Sequence, residues 1–308
     1  MRATYLLIFV ILLGCGDHRS HNNRDQIESF DISPDDQKVL LLSTRDGATT
    51  VFEINADGTS PRPILKPSSD GIFSNPRYSP DGKKIVFIKY FKKRFGESAV
   101  YVSNNDGSGV QELTRGGELV TEAIFSAKGD AVLYCSAKQY NSSKTKGTTD
   151  ARRFDIYAID LLDGKTTKLS KLNALGIDNL SEISEKYILF HMNAGKKSGI
   201  YSFENDNPTK AMRIFPVNGT EESTLLDKPG YVPDRFLVFT ARSKLHVMNL
   251  ITRKADLIYD TKGGHFIQML RGFHTKSRVL FKKFDEPRLT SVNTDGSEVS
   301  SFDVEFPE

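Results

Sequence analysis

Lys89, Lys92, Lys93 and Arg94 fall within six residues and are interleaved with Tyr90, Phe91 and Phe95. Clustered cations of this kind attract anionic surfaces by long-range steering and local pairing. Lys144, Lys146, Arg152 and Arg153 repeat the pattern further along, and Lys196 and Lys197 form a third group. The formal net charge is only +3, so these groups matter through where the fold puts them. Each group alone is equally explained by lysines that keep exposed loops soluble. A second set, Arg77, Glu122, Asp178, His265 and Arg271, mixes guanidinium, carboxylate and imidazole. Brought together, such groups bind a peptide terminus or a glycan, supply acid–base chemistry, or simply line a solvated channel.

Familiar catalytic and metal-binding patterns are missing. None of His18, His21, His191, His246, His265 and His274 belongs to a His-x-His or His-Glu-x-x-His pair. There is no Gly-x-Ser-x-Gly elbow. No catalytic residue, metal or cofactor is therefore expected. Cys135 follows Ala131-Val132-Leu133-Tyr134 and reads as a small buried hydrophobe.

The elements that must position these side chains form six repeats. Aligned on Leu41, Phe87, Tyr134, Phe190, Phe239 and Phe281, the sequence returns every 42 to 56 residues. Ser79-Pro80-Asp81-Gly82 ahead of Ile85-Val86-Phe87 predicts a tight turn into a buried strand, because proline presets φ and glycine accepts φ > 0. Asp57-Gly58, Asp106-Gly107, Asp163-Gly164 and Asp295-Gly296 predict a second hairpin in their repeats. A short apolar segment closes each unit. Four-stranded units of this period cannot bury both faces alone, so they stack radially into a six-bladed β-propeller over residues 27–308. The predicted fold is all-β, with four antiparallel strands per blade.

In such a blade the first and third turns share one face, called lower here. The second turn and the link to the next blade share the other, upper face. Every cationic group above then belongs to the upper face, and the mixed set belongs to the mouth of the central channel.

The N-terminus carries an address. Arg2 precedes an apolar run over residues 3–13, too short at about 11 residues to cross a bilayer of roughly 30 Å and fitting for a secretory signal. Leu12-Leu13-Gly14-Cys15 resembles a bacterial lipoprotein signal. That resemblance implies removal of residues 1–14 and acyl chains on Cys15, followed by a polar tether over residues 15–26. Gly16 after the cysteine leans towards the outer membrane, facing the periplasm or the cell surface. Residues 79–114, with Ser-Pro-Asp-Gly, Val-Tyr-Val, Asn-Asp-Gly and Glu-Leu-Thr, resemble the repeat of TolB-type six-bladed propellers. The resemblance is strong in repeats one to three and weaker after, and nothing matches the extra N-terminal domain of TolB. It implies the fold and an envelope setting. The reading is a monomeric, lipid-anchored envelope protein that is not an enzyme. Its upper face binds an envelope protein or anionic polymer, the membrane is reached through the lipid, and nucleic acid is no partner. The alternative is a carbohydrate-active or peptide-processing enzyme with its site at the channel mouth.

Overall fold

The computed structural model describes residues 25–94, 96–137, 153–184, 187–204, 207–215, 226–233, 236–241, 243–262, 265–284 and 286–307. These form six four-stranded antiparallel sheets, the blades of a propeller. Blade 1 is β1 (Gln26–Ile32), β2 (Lys38–Arg45), β3 (Ala48–Asn55) and β4 (Arg62–Leu65). Blade 2 is β5 (Gly71–Tyr78), β6 (Lys84–Phe91), β7 (Ser98–Asn104) and β8 (Gln111–Glu112). Blade 3 is β9 (Leu119–Phe125), β10 (Ala131–Ala137), β11 (Phe154–Asp160) and β12 (Thr166–Lys168). Blade 4 is β13 (Gly176–Ser184), β14 (Tyr187–Asn193), β15 (Gly199–Glu204) and β16 (Asn207–Phe215). Blade 5 is β17 (Leu226–Val232), β18 (Phe236–Ala241), β19 (Lys244–Asn249) and β20 (Ala255–Asp260). Blade 6 is β21 (Ile267–Gly272), β22 (Arg278–Lys283), β23 (Leu289–Asn293) and β24 (Ser300–Phe302). The helical content of the described residues is one 3-10 turn, Gly195–Lys197.

The alignment column of the sequence is the core of the second strands. Leu41, Phe87, Tyr134, Phe190, Phe239 and Phe281 are all at most 2% exposed. Each faces a residue of the third strand, and in four blades that pair is a ring stack: Phe87 on Tyr101, Tyr134 on Tyr157, Phe190 on Tyr201 and Phe239 on His246. Stacks of this sort add about 0.5–1.5 kcal/mol each beyond the area they bury. His246 is thus a packed ring, and burial pushes its pKa down. Cys135 is fully buried, and burial pushes its thiol pKa up.

The Ser-Pro-Asp-Gly phrase closes the lower face by side-chain bonding. Ser79 Oγ donates to Asp81 Oδ1 at 2.6 Å and accepts from Lys84 N at 2.9 Å. Ser33 makes the same pair of bonds in blade 1. The residue after the third strand then donates its N–H to the carbonyl just before the second: Ala56 to Gln37, Asn105 to Lys83, Leu161 to Asp130 and Thr294 to Ser277. The two turns of a blade are thereby locked to each other. Ser79→Ala is expected to cost about 1 kcal/mol in urea unfolding, the ordinary worth of such a bond.

The Asp-Gly glycines also seat the blades on one another. A Cβ on Gly107 would overlap the Ile64 carbonyl of blade 1, and one on Gly58 would overlap Phe302 of blade 6. Both have φ near +90°, which glycine alone adopts without strain. Gly107→Ala is expected to cost about 3 kcal/mol, combining backbone strain and overpacking. Thermal unfolding checks it.

The ring closes without strand exchange, since each sheet is one continuous stretch of chain. Two features hold the seam between blades 6 and 1. The carboxylate of Asp36 is buried and accepts from His274 N (2.7 Å), Thr275 N (2.8 Å) and Thr275 Oγ1 (2.6 Å). His274 Nε2 lies 3.1 Å from the Ile32 carbonyl and so carries the proton of that contact. The segment after β24 crosses blade 1, with Phe306 edge-on to Phe52 at 5.1 Å. Phe302, Val304 and Phe306 pack on a core cluster built from Phe30, Leu41, Ile54, Phe273 and Leu280.

Candidate functional site

Six inner strands, β1, β5, β9, β13, β17 and β21, line the central channel. Each loses register with its neighbour at one point or more, between Ile27 and Ser29, Ser74 and Arg77, Val120 and Glu122, Asp178 and Ser181, Asp227 and Gly230, and Ile267 and Met269. Such bulges re-aim side chains locally. Asn75 and Asn179 take φ of 46° and 53° within two of them, a conformation asparagine tolerates better than most residues. Asn75 Nδ2 donates to the Thr121 carbonyl, and Thr121 Oγ1 to the Ile177 carbonyl, which links the bulges of blades 2, 3 and 4.

An ion network sits on this frame. Asp31 Oδ1 lies 3.1 Å from Arg77 Nε and 3.7 Å from Arg271 Nε, all three side chains being at most 13% exposed. Asp31 Oδ2 accepts from Tyr78 N at 2.9 Å. The three residues hold one column of the repeat, two positions before the first turn, in neighbouring blades 1, 2 and 6. Burial pushes Arg271 down to about 10, and the charge of Arg77 beside it acts in the same direction. Glu122 is 7% exposed; desolvation raises its pKa, and Arg271 and Arg77 oppose that rise. Asn179 joins the two acids of this wall, its N–H reaching Glu122 Oε1 at 3.2 Å and its Nδ2 reaching Asp178 Oδ1 at 2.6 Å. His191 Nδ1 lies 3.2 Å from the Asp178 carboxylate. Glu122 Oε2 and Arg77 Nη1 have no hydrogen-bond partner among the described residues.

The structure thus brings Arg77, Glu122, Asp178 and Arg271 together, within the channel wall. His265 stands exposed ahead of β21, outside this network. Asp31, which holds both arginines, is absent from the set named in sequence, and His191 is weighed there only for metal-binding pairs and not as a neighbour of Asp178. Alignment on the turn was the available signal for Asp31.

On the upper face the predicted cations divide. Lys89 lies inside β6 with its Nζ 2.6 Å from Asp70 and near the rings of Phe91 and Tyr101. Hydrogen bonds from Lys89 and Ser68 bring Asp70 down to about 2. Arg94 stacks on Phe91 at 3.6 Å and pairs with Glu97 at 3.4 Å. Lys92, Lys93, Arg153 and Lys197 are exposed, as are Arg115 and Lys171 in the links between blades 2 and 3 and blades 3 and 4. None of these six side chains makes an ion pair among the described residues. Four described acids of the upper loops are already engaged: Asp70 with Lys89, Glu97 with Arg94, Glu286 with Lys283, and Glu118 as acceptor from Ser136. Cys15, Lys144, Lys146 and Arg152, and the side chain of Lys196, lie outside the described residues.

A family model described as the TolB beta propeller domain matches residues 8–154. The chain is a TolB-like six-bladed propeller. TolB from Acinetobacter baumannii superposes with a TM-score of 0.65 at 17% identity, over 88% of this chain. This TolB-like chain spans only 62% of that protein's length. An oligogalacturonate lyase in complex with manganese gives a TM-score of 0.60 at 11% identity, covering 90% of this chain and 77% of the lyase. A puromycin-hydrolyzing peptidase of Mycobacterium tuberculosis gives 0.61 at 13% identity, covering 93% of this chain and 54% of the peptidase. Likeness at these identities concerns the fold, which serves enzymes and non-enzymes alike. No curated protein is a significant match to the sequence. The described residues hold no group of three or more His, Cys, Asp or Glu placed to bind a metal ion.

Proposed function

We propose that this TolB-like propeller is a non-enzymatic binding protein of the bacterial cell envelope, anchored through Cys15, whose upper face engages an anionic partner. The observation that carries the reading is the charge arrangement of that face. Six exposed cations lack an ion pair there while the described acids beside them are engaged. Unpaired cations whose neighbouring acids are engaged favour anionic partners without a strong global field.

The test is sedimentation of the lipid-free chain, residues 16–308, with isolated cell envelopes. Retention at low salt, release at high salt and loss in K92S/K93S/R115S/K171S support the reading. Equal retention of wild type and variant removes it. A second reading, a site of acid–base chemistry in the channel, is favoured by one observation: Glu122, its pKa raised by burial, shares Asn179 with Asp178. Turnover of an envelope glycan or peptide by the purified chain, abolished in E122Q with the fold intact, would establish it.

A further inference from the structure

We propose that the anionic partner of the upper face is the lipid surface of the membrane itself. This rests on the reading of the upper face as the binding surface and adds the identity of what it binds. The first observation is where the chain enters the fold. Asp25 stands at the upper end of β1, ion-paired with Arg45. Ten residue steps separate Cys15 from Asp25, at most about 36 Å when fully extended. Acyl chains on Cys15 therefore hold the upper face close to the headgroups.

The second observation is apolar. Phe266 and Phe284 are 63% and 52% exposed. They lie side by side on the upper edge of blade 6, where Phe284 N donates to the Phe266 carbonyl at 2.7 Å. Other described phenylalanines are at least partly buried. The third is the arc of unpaired cations, Lys92, Lys93, Arg115, Arg153, Lys171 and Lys197, which runs over blades 2 to 4 of the same face. An acidic polymer in solution would satisfy the cations and leave the two rings in water. An anionic bilayer takes both, the rings at the acyl boundary and the cations at the headgroups.

The test uses residues 16–308, which contain every described strand, and extruded vesicles of phosphatidylcholine with or without phosphatidylglycerol. The expected result is retention by the anionic vesicles alone, weakened in about 0.5 M salt. Each lysine removed near the surface should lower partitioning about fivefold, so K92S/K93S should lose about 25-fold. F266S/F284S should lose at least about tenfold. K165S/K254S, on the lower face, should bind as wild type, and matching thermal unfolding certifies the fold of each variant. Equal retention by neutral vesicles, no retention by either, or an F266S/F284S variant that binds fully would overturn the proposal. Binding to isolated envelopes without binding to vesicles would do the same and leave the upper-face reading standing. Failure of both would remove the reading as well.

Discussion

Arg271→Met is expected to destabilise the propeller by about 3–5 kcal/mol, the usual cost of removing one partner from a buried ion network. Arg271 and Arg77 share Asp31 from opposite sides, and both oppose the desolvation of Glu122. Methionine matches the arginine stem in length and removes the charge. Asp31 keeps Arg77 and the Tyr78 amide, while Glu122 loses its largest favourable partner. Glu122→Gln in the same background should therefore recover part of the loss. Alone, E122Q should be neutral or stabilising at pH 7, because it removes a carboxylate that burial disfavours.

The pH dependence follows with a definite sign. The Glu122 pKa is higher in the fold than in the unfolded chain, so between the two values the folded form holds more protons. Its contribution to stability is lost as pH rises through that window and restored as pH falls. The advantage of E122Q should accordingly shrink towards pH 4. Urea midpoints of the four proteins at pH 4 and pH 7 give the comparison. A wild-type midpoint in R271M would mean that the channel network contributes nothing to stability.

The second large effect is expected at the seam. Asp36→Gly should cost about 3 kcal/mol, since three donors of blade 6 lose a charged acceptor at once. Glycine is the informative replacement. Asp36 has φ of 59° where the equivalent residues of blades 2 and 3 are Gly82 and Gly129, at 68° and 72°. Glycine thus relieves the backbone, and the remaining loss measures the latch. Asp36→Ala should lose a further 1–2 kcal/mol or so from left-handed strain. Thermal unfolding of the three proteins ranks them. A D36G protein as stable as wild type would leave closure to the packing of Phe302, Val304 and Phe306.

The blades were legible because their signals are local. Asp-Gly and Ser-Pro-Asp-Gly declare turns, and the column from Leu41 to Phe281 declares buried strands that return every 42 to 56 residues. Arg77, Glu122, Asp178 and Arg271 could be placed near the axis because their segments lead into and form the inner strands β5, β9, β13 and β21. Asp31 was harder, since its significance depends on having arginines in the same column of the blades on both sides, one of them from the far end of the chain. The bulges were illegible for a different reason. A bulge needs no particular residue, and Asn75 and Asn179 become a signal only once their φ is known. Lys89 and Arg94 look like Lys92 and Lys93 in sequence. What separates them is a carboxylate across the fold or three residues on, at Asp70 and Glu97, and a ring beneath. Asp36 did carry a legible anomaly, an aspartate where its repeat calls for glycine.

Arg45 touches both ends of the described chain, pairing with Asp25 and reaching the Pro307 carbonyl at 3.5 Å. Each sheet is also drawn from one uninterrupted stretch. A short peptide bridge from residue 307 to residue 25 would therefore join the ends without crossing any blade, and a cut between any two blades would leave every sheet whole. The propeller is in this sense a closed sequence without a privileged starting point. Its order of blades, rather than its first residue, defines the molecule, and circular permutation at the boundary between blades 3 and 4 would carry the proposed anchor to the opposite side of the ring while preserving all six blades.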